Sequence, residues 1–196
     1  MITELTRMWL TRSTKPFLFK KEYDQELPFS DCDGLGLYVH IPFCRSICSF
    51  CPYCKTLYSE EACSRYIDAL IREIHLAGSQ IPGKKIVTSL YFGGGTPALA
   101  ADRIKEIIDA IQEHFIITQG IGIELHPENI TPRTLHILKE AGITKLSIGI
   151  QSFQEKFQKL LGRTGADMDS LKAALSQVPF ETVSMDFIFA LPSQTF

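Results

Sequence analysis

Short apolar segments alternate with longer amphipathic ones from residue 35 onward, and this alternation most constrains the fold. Apolar side chains at every second position, as at Leu37, Val39 and Ile41, are typical of β-strands. Such segments predict five strands, at residues 35–41, 88–92, 120–125, 145–150 and 182–191. Because helical segments separate them, we expect parallel strands joined by helical crossovers.

Residues that begin and end helices mark the intervening segments. Ser59, Asp102 and Thr131 are predicted N-caps, and a proline suits the first helical position after Thr131. Gly78 is predicted to end the first helix. The second helix is expected to carry an apolar stripe formed by Ile104, Ile107, Ile108, Ile111 and Phe115. Further helical segments are predicted at residues 153–161 and 167–176.

The alternation predicts an α/β fold, a partial (β/α) TIM-like barrel of parallel strands that is open on one side. A closed eight-stranded barrel takes about 250 residues. This sequence has 196 residues and stops five residues after its fifth predicted strand. We therefore expect an irregular N-terminal arm at residues 1–33 and an incomplete barrel domain at residues 34–196, a fragment of something longer.

The charge and hydropathy of the sequence argue against a nucleic-acid or a membrane partner. The net charge of -2 and a pI near 6.2 leave no basic footprint for nucleic acid. No segment has the continuous apolar run of a signal peptide or a membrane span. We expect a cytoplasmic protein with neither a nucleic-acid nor a membrane partner. In that compartment clustered cysteines indicate metal or redox chemistry rather than disulfides.

The cysteines cluster directly after the first strand, where a barrel carries its chemistry. Cys44, Cys48 and Cys51 have the spacing C-x3-C-x2-C. Three thiolates from one loop can bind three corners of a [4Fe–4S] cluster and leave the fourth iron open. S-adenosylmethionine (SAM) can chelate that iron through its amino and carboxylate groups. An electron from the cluster then cleaves the sulfonium bond and releases a 5′-deoxyadenosyl radical.

Two other kinds of metal site could use the same loop with Cys54 as a fourth ligand. One is a structural zinc site and the other is a closed ferredoxin-like cluster. Structural zinc usually combines a short cysteine pair with a second, distant pair, and four ligands in one short loop make tetrahedral closure awkward. The open cluster is therefore favoured. Cys32 and Cys63 are expected to be small buried residues without a role.

Polar residues and glycines follow the ends of the other predicted strands. The run Gly93-Gly94-Gly95-Thr96-Pro97 lets a ligand approach the main chain and can offer carbonyls to an ammonium group. A tight turn is one alternative for this run, but it needs only one or two glycines. A phosphate-binding loop is another, but it requires a lysine after the glycines, and the sequence has none there. Glu124, Gln151 and Asp186 belong to the third, fourth and fifth strands. Ribose hydroxyls or a sulfonium charge would partner the carboxylates, and a structural hydrogen bond is the alternative for each residue.

The five histidines do not form a ligand pair at metal spacing in the sequence. His40 and His126 lie near predicted strand ends, whereas His75, His114 and His136 fall in helical segments. We expect none of them to bind a metal.

Several motifs occur in order between about residue 35 and residue 196. Besides the cysteines and the glycine run, they are Tyr38-Val39-His40-Ile41-Pro42-Phe43-Cys44, Ile123-Glu124, Ser147-Ile148-Gly149-Ile150-Gln151-Ser152-Phe153, Leu161-Gly162-Arg163 and Asp186-Phe187-Ile188-Phe189-Ala190-Leu191-Pro192. Together they resemble the family of oxygen-independent coproporphyrinogen III oxidase and its relatives, a branch of the radical SAM superfamily.

The resemblance implies a radical SAM oxidoreductase with a [4Fe–4S] cluster on the three cysteines and an aromatic residue near SAM at Phe50. The SAM contacts that it implies are Tyr38, Gly94, Gly95, Thr96, Glu124, Gln151, Arg163 and Asp186. The oxidase removes carboxyl groups from two porphyrinogen propionates, so a porphyrinogen or heme is the expected small-molecule substrate. A reductant such as flavodoxin or ferredoxin is the expected electron donor.

One position departs from the pattern of the family. The oxidase has a further cysteine two positions after the third ligand, where this sequence has Tyr53, and the extra cysteine is Cys54. This departure weighs against decarboxylation of coproporphyrinogen. The family's C-terminal substrate domain also has no counterpart in the sequence. Heme chaperones and radical SAM methyltransferases are therefore alternatives, and a non-catalytic iron–sulfur or zinc module is a further one.

Overall fold

A single parallel sheet forms the framework of the computed structural model, which describes residues 32–163 and 167–194. The predicted arm at residues 1–33 lies outside the described residues except for its last two. The strands are β1 (Leu35–Ile41), β2 (Phe43–Cys44), β3 (Thr56–Leu57), β4 (Lys85–Gly94), β5 (Phe115–Ile117), β6 (Ile121–Leu125), β7 (Ile143–Gln151) and β8 (Thr182–Phe187). The helices are α1 (Glu60–Ser79), α2 (Ala101–His114), α3 (Pro132–Glu140), α4 (Glu155–Leu160) and α5 (Met168–Gln177).

The main sheet has the strand order β1-β4-β6-β7-β8, and every pair is parallel. The spatial order follows the order in the chain, as expected when each crossover places the next strand beside the last. The short strand β5 pairs with the first residues of β4. Within the described ranges β1 and β8 are not paired, so the sheet is not closed. The predicted partial barrel is confirmed.

The core lies between the sheet and the helices. Leu90 and Phe92 of β4 are fully buried, as are Ile104, Ile107 and Ile111 of α2. The isoleucines recur at helical spacing and therefore form one face of α2. Burying each such side chain stabilises the fold by about 2 kcal/mol. This packing holds the strands in place and fixes the positions of their carboxyl ends.

Two of the three predicted N-caps are confirmed. The Ser59 hydroxyl accepts a hydrogen bond from the Ala62 N–H at 3.2 Å, and the Thr131 hydroxyl accepts one from the Thr134 N–H at 3.2 Å. The prediction for Asp102 is wrong. A 3-10 turn at Pro97–Ala100 leads directly into α2, so Asp102 lies in the first turn of the helix. Its charge there interacts favourably with the helix dipole.

Two further boundary predictions are wrong. Gly78 lies inside α1, which continues to Ser79. A Cβ at Gly78 would lie 2.2 Å from Cγ of His114, so the glycine is required by close packing rather than by a turn. Phe115 belongs to β5, not to α2, and is buried there. The sequence interpretation missed β5 because three residues are too few to show a period.

The fifth strand is shorter and more exposed than its sequence predicted. It ends at Phe187 rather than at residue 191. A strand that reached residue 191 would have to pass through Ala190, whose φ of 60° lies in the left-handed region. All six residues of β8 are exposed at the edge of the described sheet. Of the two isolated cysteines, Cys63 is buried as predicted, whereas Cys32 is exposed. Across the described residues no helix has the length and apolar character needed to cross a membrane.

Candidate functional site

A cleft at the carboxyl ends of the strands brings together eleven of the twelve residues that the sequence singled out. They are Cys44, Cys48, Phe50, Cys51, Gly94, Gly95, Thr96, Glu124, Gln151, Arg163 and Asp186. Tyr38 does not line the cleft. Its side chain is 56% exposed, its ring stacks on Tyr91 with 6.3 Å between the centroids, and its hydroxyl lies 3.5 Å from Nδ1 of His40.

The cysteine loop is anchored at both ends by the small parallel sheet of β2 and β3. The Thr56 N–H donates to the Pro42 carbonyl at 2.8 Å, and the Tyr58 N–H donates to the Cys44 carbonyl at 2.9 Å. Inside the loop the Lys55 ammonium donates to the Cys51 carbonyl at 2.6 Å. These bonds satisfy polar groups of a loop that has little regular structure of its own.

Three of the four cysteines in this loop line the cleft, and Cys54 does not. Cys54 is exposed, and its carbonyl oxygen lies 2.9 Å from Nε2 of His40. The spacing of the cysteines in the sequence allowed Cys54 to be a fourth metal ligand. A donor set of three thiols on one loop fits a [4Fe–4S] cluster with three protein ligands, and it would leave a fourth iron corner for a small molecule.

The Cys44 thiol has a perturbed environment. Burial raises its pKa, a contact from the Thr96 hydroxyl with 3.9 Å between oxygen and sulfur lowers it, and the neighbouring Cys51 and Cys48 thiols raise it again. Three thiolates at close range repel one another, so a cationic metal centre would stabilise the deprotonated loop.

The glycine run packs tightly under the cysteine loop. The Gly95 N–H donates to the Ile41 carbonyl at 2.8 Å, and the Thr96 N–H donates to the Phe43 carbonyl at 2.7 Å. A Cβ at Gly95 would lie 2.5 Å from the Phe43 carbonyl oxygen, and one at Gly94, where φ is +116°, would lie 2.7 Å from the His40 ring. The sequence analysis expected the missing side chains to let a ligand approach the main chain. In the structure, the His40 ring and the Phe43 carbonyl occupy the space that these side chains would take.

The two cleft carboxylates that the sequence singled out, Glu124 and Asp186, each have a protein partner. Oε2 of Glu124 accepts a hydrogen bond from the Gly94 N–H at 3.3 Å, and Asp186 accepts one from the Ser147 hydroxyl at 2.9 Å. Burial raises the pKa of Glu124, although the bonds from Gly94 and Tyr91 oppose this. Burial and the Glu124 carboxylate raise the pKa of Tyr91 to about 12. Asp186 lies in the exposed strand β8, so its carboxylate is not buried, and its bond from Ser147 is the structural alternative that the sequence left open.

Gln151 is the last residue of β7, and the side chain of Arg163, which follows α4, reaches the same end of that strand. Gln151 has φ 67°, in the left-handed region, where the pairing of β7 with β8 also shifts register. Such a conformation costs a non-glycine residue about 1 kcal/mol or more. Arg163 donates to the Gly149 carbonyl, and its guanidinium lies 5.6 Å from the centroid of the Phe50 ring. Nε of Arg163 is buried and has no hydrogen-bond partner among the described residues.

Several residues of the cleft were missed in the sequence. His126 lines it, and burial together with the Arg163 charge lowers the pKa of this histidine to about 4, so its imidazole is neutral at pH 7. Its Nδ1 accepts a hydrogen bond from the Glu128 N–H at 3.3 Å. Ser147 and Gly149 also line the cleft. Alternate residues of a strand share one face. Ser147 and Gly149 could therefore have been predicted from Gln151, which lies four and two positions later in the same strand.

The fold and the cleft agree with a comparison against known protein families. The model of the Radical SAM superfamily matches residues 38–196, so the chain belongs to this superfamily. Its members of the coproporphyrinogen oxidase type use a [4Fe–4S] cluster and SAM.

Individual relatives place the chain in the branch related to oxygen-independent coproporphyrinogen III oxidase. It is 31% identical to that enzyme from Pseudomonas aeruginosa, over 82% of this chain and 37% of the enzyme. It is 30% identical to the heme chaperone HemW of Bacillus subtilis, over 81% of this chain and 43% of the chaperone. It is 37% identical to anaerobilin synthase of Escherichia coli O157:H7, over 81% of this chain and 37% of the synthase.

A solved structure supports the same placement. Coproporphyrinogen III oxidase from Escherichia coli, a radical SAM enzyme, superposes with a TM-score of 0.75 and 32% identity, over 83% of this chain and 39% of that protein. The chain therefore spans about two fifths of the length of the relatives that it matches.

Proposed function

We propose that this chain is the cluster- and SAM-binding part of a radical SAM oxidoreductase related to coproporphyrinogen oxidase, with a tetrapyrrole as substrate. The observation that carries the proposal is the lining of the cleft. Three cysteines of one loop face the glycine run there, while the fourth cysteine stays outside. The names of the relatives support a porphyrinogen or heme as the substrate.

The cysteines Cys44, Cys48 and Cys51 hold the cluster in this proposal. When bound, the cluster and SAM supply the 5′-deoxyadenosyl radical, after one electron from a donor such as flavodoxin or ferredoxin. The chain's own task is to bind and orient these groups and to exclude water. The half-buried thiol of Cys44 and the bonds within the loop suit that task.

The remaining residues of the cleft bind SAM in this proposal. Gly94, Gly95 and Thr96 offer main-chain groups to its amino end, and Phe50 covers it. Glu124 and Asp186 accept hydrogen bonds from the ribose or face the sulfonium charge. Gln151 and Arg163 close the cleft from the end of β7, where the unpaired Nε of Arg163 can donate to a ligand. Tyr38 acts from outside the cleft, through the stacked Tyr91 and Glu124.

The test is turnover of SAM by the anaerobically reconstituted protein. Release of 5′-deoxyadenosine is measured after reduction, with coproporphyrinogen III, with heme and without either. We expect release that increases with a tetrapyrrole and is absent from Cys48→Ala. No release from a protein that carries a full cluster would contradict the proposal.

A heme chaperone is the second candidate, and the relative at 30% identity favours it. The position of Tyr53 and Cys54 also departs from the pattern of the oxidase. The same experiment separates the two functions. Stable capture of heme without tetrapyrrole-dependent consumption of SAM identifies a chaperone. Consumption of SAM with conversion of the tetrapyrrole identifies the enzyme.

A further inference from the structure

Three potential metal ligands meet far from the cleft, at the C-terminal ends of α1 and α2. Nδ1 of His75 in α1 lies 3.1 Å from Nε2 of His114, the last residue of α2. The same Nδ1 lies 3.7 Å from Oε2 of Glu113. His114 directly precedes β5, whose first residue pairs with the first residue of β4. The group therefore lies at the amino-terminal edge of the sheet, opposite the cysteine loop.

The sequence spacing gave no pair of metal ligands among the histidines, whereas the fold brings two of them together. His75 and His114 are 39 residues apart in the sequence, and only the packing of α1 on α2 brings them together. Gly78 makes the approach possible. A Cβ at that position would lie 2.2 Å from Cγ of His114, so a larger residue would push the ring away from α1.

We propose that His75, Glu113 and His114 form a site for a divalent transition-metal ion, with Zn²⁺ as the ion that this ligand set suits. One ligand atom from each residue lies within 4.8 Å of the others. Two histidine nitrogens bound tetrahedrally to one zinc ion are about 3.3 Å apart, because each lies about 2.0–2.1 Å from the metal. The 3.1 Å between the two ring nitrogens is close to that separation.

The surrounding charge favours a cation. The C-terminal turns of two helices converge on the site, and the carbonyl end of each helix carries partial negative charge. The last turn of α1 contains no basic residue, and the only basic residue within the last turn of α2 is His114 itself. One cation reaches α2 from outside, because the Lys84 ammonium donates to the Gln112 carbonyl at 2.8 Å, and it partly offsets the negative charge of this helix end. The Glu113 carboxylate adds a full negative charge. Two imidazoles and one carboxylate are a common donor set for zinc, with water as the fourth ligand.

The side chains are open enough to admit an ion and its water. The His75 side chain is 40% exposed and that of Glu113 is 65% exposed. A bound ion would join the ends of α1 and α2 across the edge of the barrel. Without an ion, a single N–H···N hydrogen bond between the two rings would account for the short distance, and this is the alternative that the test must exclude.

The experiment measures zinc and iron together in the cluster-loaded protein. The full chain is reconstituted anaerobically, so that the cysteines of the loop are occupied, and is dialysed against micromolar Zn²⁺. Both metals are then counted by mass spectrometry. The comparison is wild type, His75→Gln, Glu113→Gln and His114→Gln, with His136→Gln as the control. His136 is an exposed histidine of α3, outside the site.

After dialysis, we expect one zinc ion per chain in the wild type and in His136→Gln. The iron content should be the same as before dialysis. The zinc bound per chain should fall at least tenfold in His75→Gln and His114→Gln, and less in Glu113→Gln. Zinc uptake that is equal in all five proteins would overturn the proposal, as would no uptake by the wild type. Because the two metals are counted separately, the result does not depend on the function proposed for the cleft.

Discussion

Cys51 and Cys54 are three residues apart on one loop, yet only Cys51 lines the cleft. At the scale of single residues this difference predicts unequal effects of two matched substitutions. Cys54→Ala should retain the cluster, whereas Cys51→Ala should lose it, because a cluster corner without a thiolate dissociates readily. Iron and sulfide per chain after anaerobic reconstitution measure this. Equal loss in both variants would mean that the three ligands were chosen wrongly.

Gln151 combines a strained backbone with a place in the cleft. Its φ of 67° favours glycine, so Gln151→Gly should have a higher free energy of unfolding than Gln151→Ala, by about 1 kcal/mol. Both variants lose the side chain and should bind SAM more weakly than the wild type. Urea unfolding measures the first effect and equilibrium binding measures the second. Equal free energies of unfolding for the two variants would show that the backbone of Gln151 is not strained.

His126 should make stability depend on pH. Its folded pKa of about 4 lies below the ordinary value of 6.5, since burial and Arg163 disfavour the cation. The unfolded chain therefore binds the proton more tightly, and stability present above pH 6.5 is lost as the pH falls toward 4. The loss between pH 7 and pH 5 is about 2 kcal/mol. Urea unfolding of cluster-free protein should show a smaller loss for His126→Gln, and an identical loss would contradict the prediction.

At the scale of elements, the glycine run holds the cysteine loop against β1. Gly95→Ala should displace the loop, because the new Cβ would meet the Phe43 carbonyl oxygen at 2.5 Å. Overpacking of this kind typically costs about 1–3 kcal/mol. Gly36→Ala is the matched control, since a Cβ there meets nothing within 4 Å. Cluster content and urea unfolding should be impaired in the first variant only. Full cluster loading in Gly95→Ala would show that the loop tolerates the shift.

The sequence predicted elements best where the signal was local. Ser59 and Thr131 cap helices through bonds to residues only three positions away, so short-range chemistry was sufficient. Gly78 failed as a helix end because its role depends on His114, 36 positions later in the chain. The three-residue strand β5 was missed because its pairing with β4, not its own pattern, defines it.

At the scale of the whole molecule, the strand order could be predicted because alternating strands and helices leave few topologies. The cleft followed from that order, since the carboxyl ends of parallel strands share one edge of the sheet. Exposure of β8 and Asp186 could not be predicted, because an apolar pattern does not tell which side of a strand is covered. The contact between His75 and His114 likewise required the packing of two helices.

The central claim is that the cleft holds a cluster with one iron free of protein ligands. Electron paramagnetic resonance of the reduced, anaerobically reconstituted protein tests it directly, with and without SAM. We predict a [4Fe–4S]⁺ signal whose shape changes when SAM is added, because SAM coordinates the open iron. A signal that SAM leaves unchanged, from a fully loaded cluster, would contradict the account.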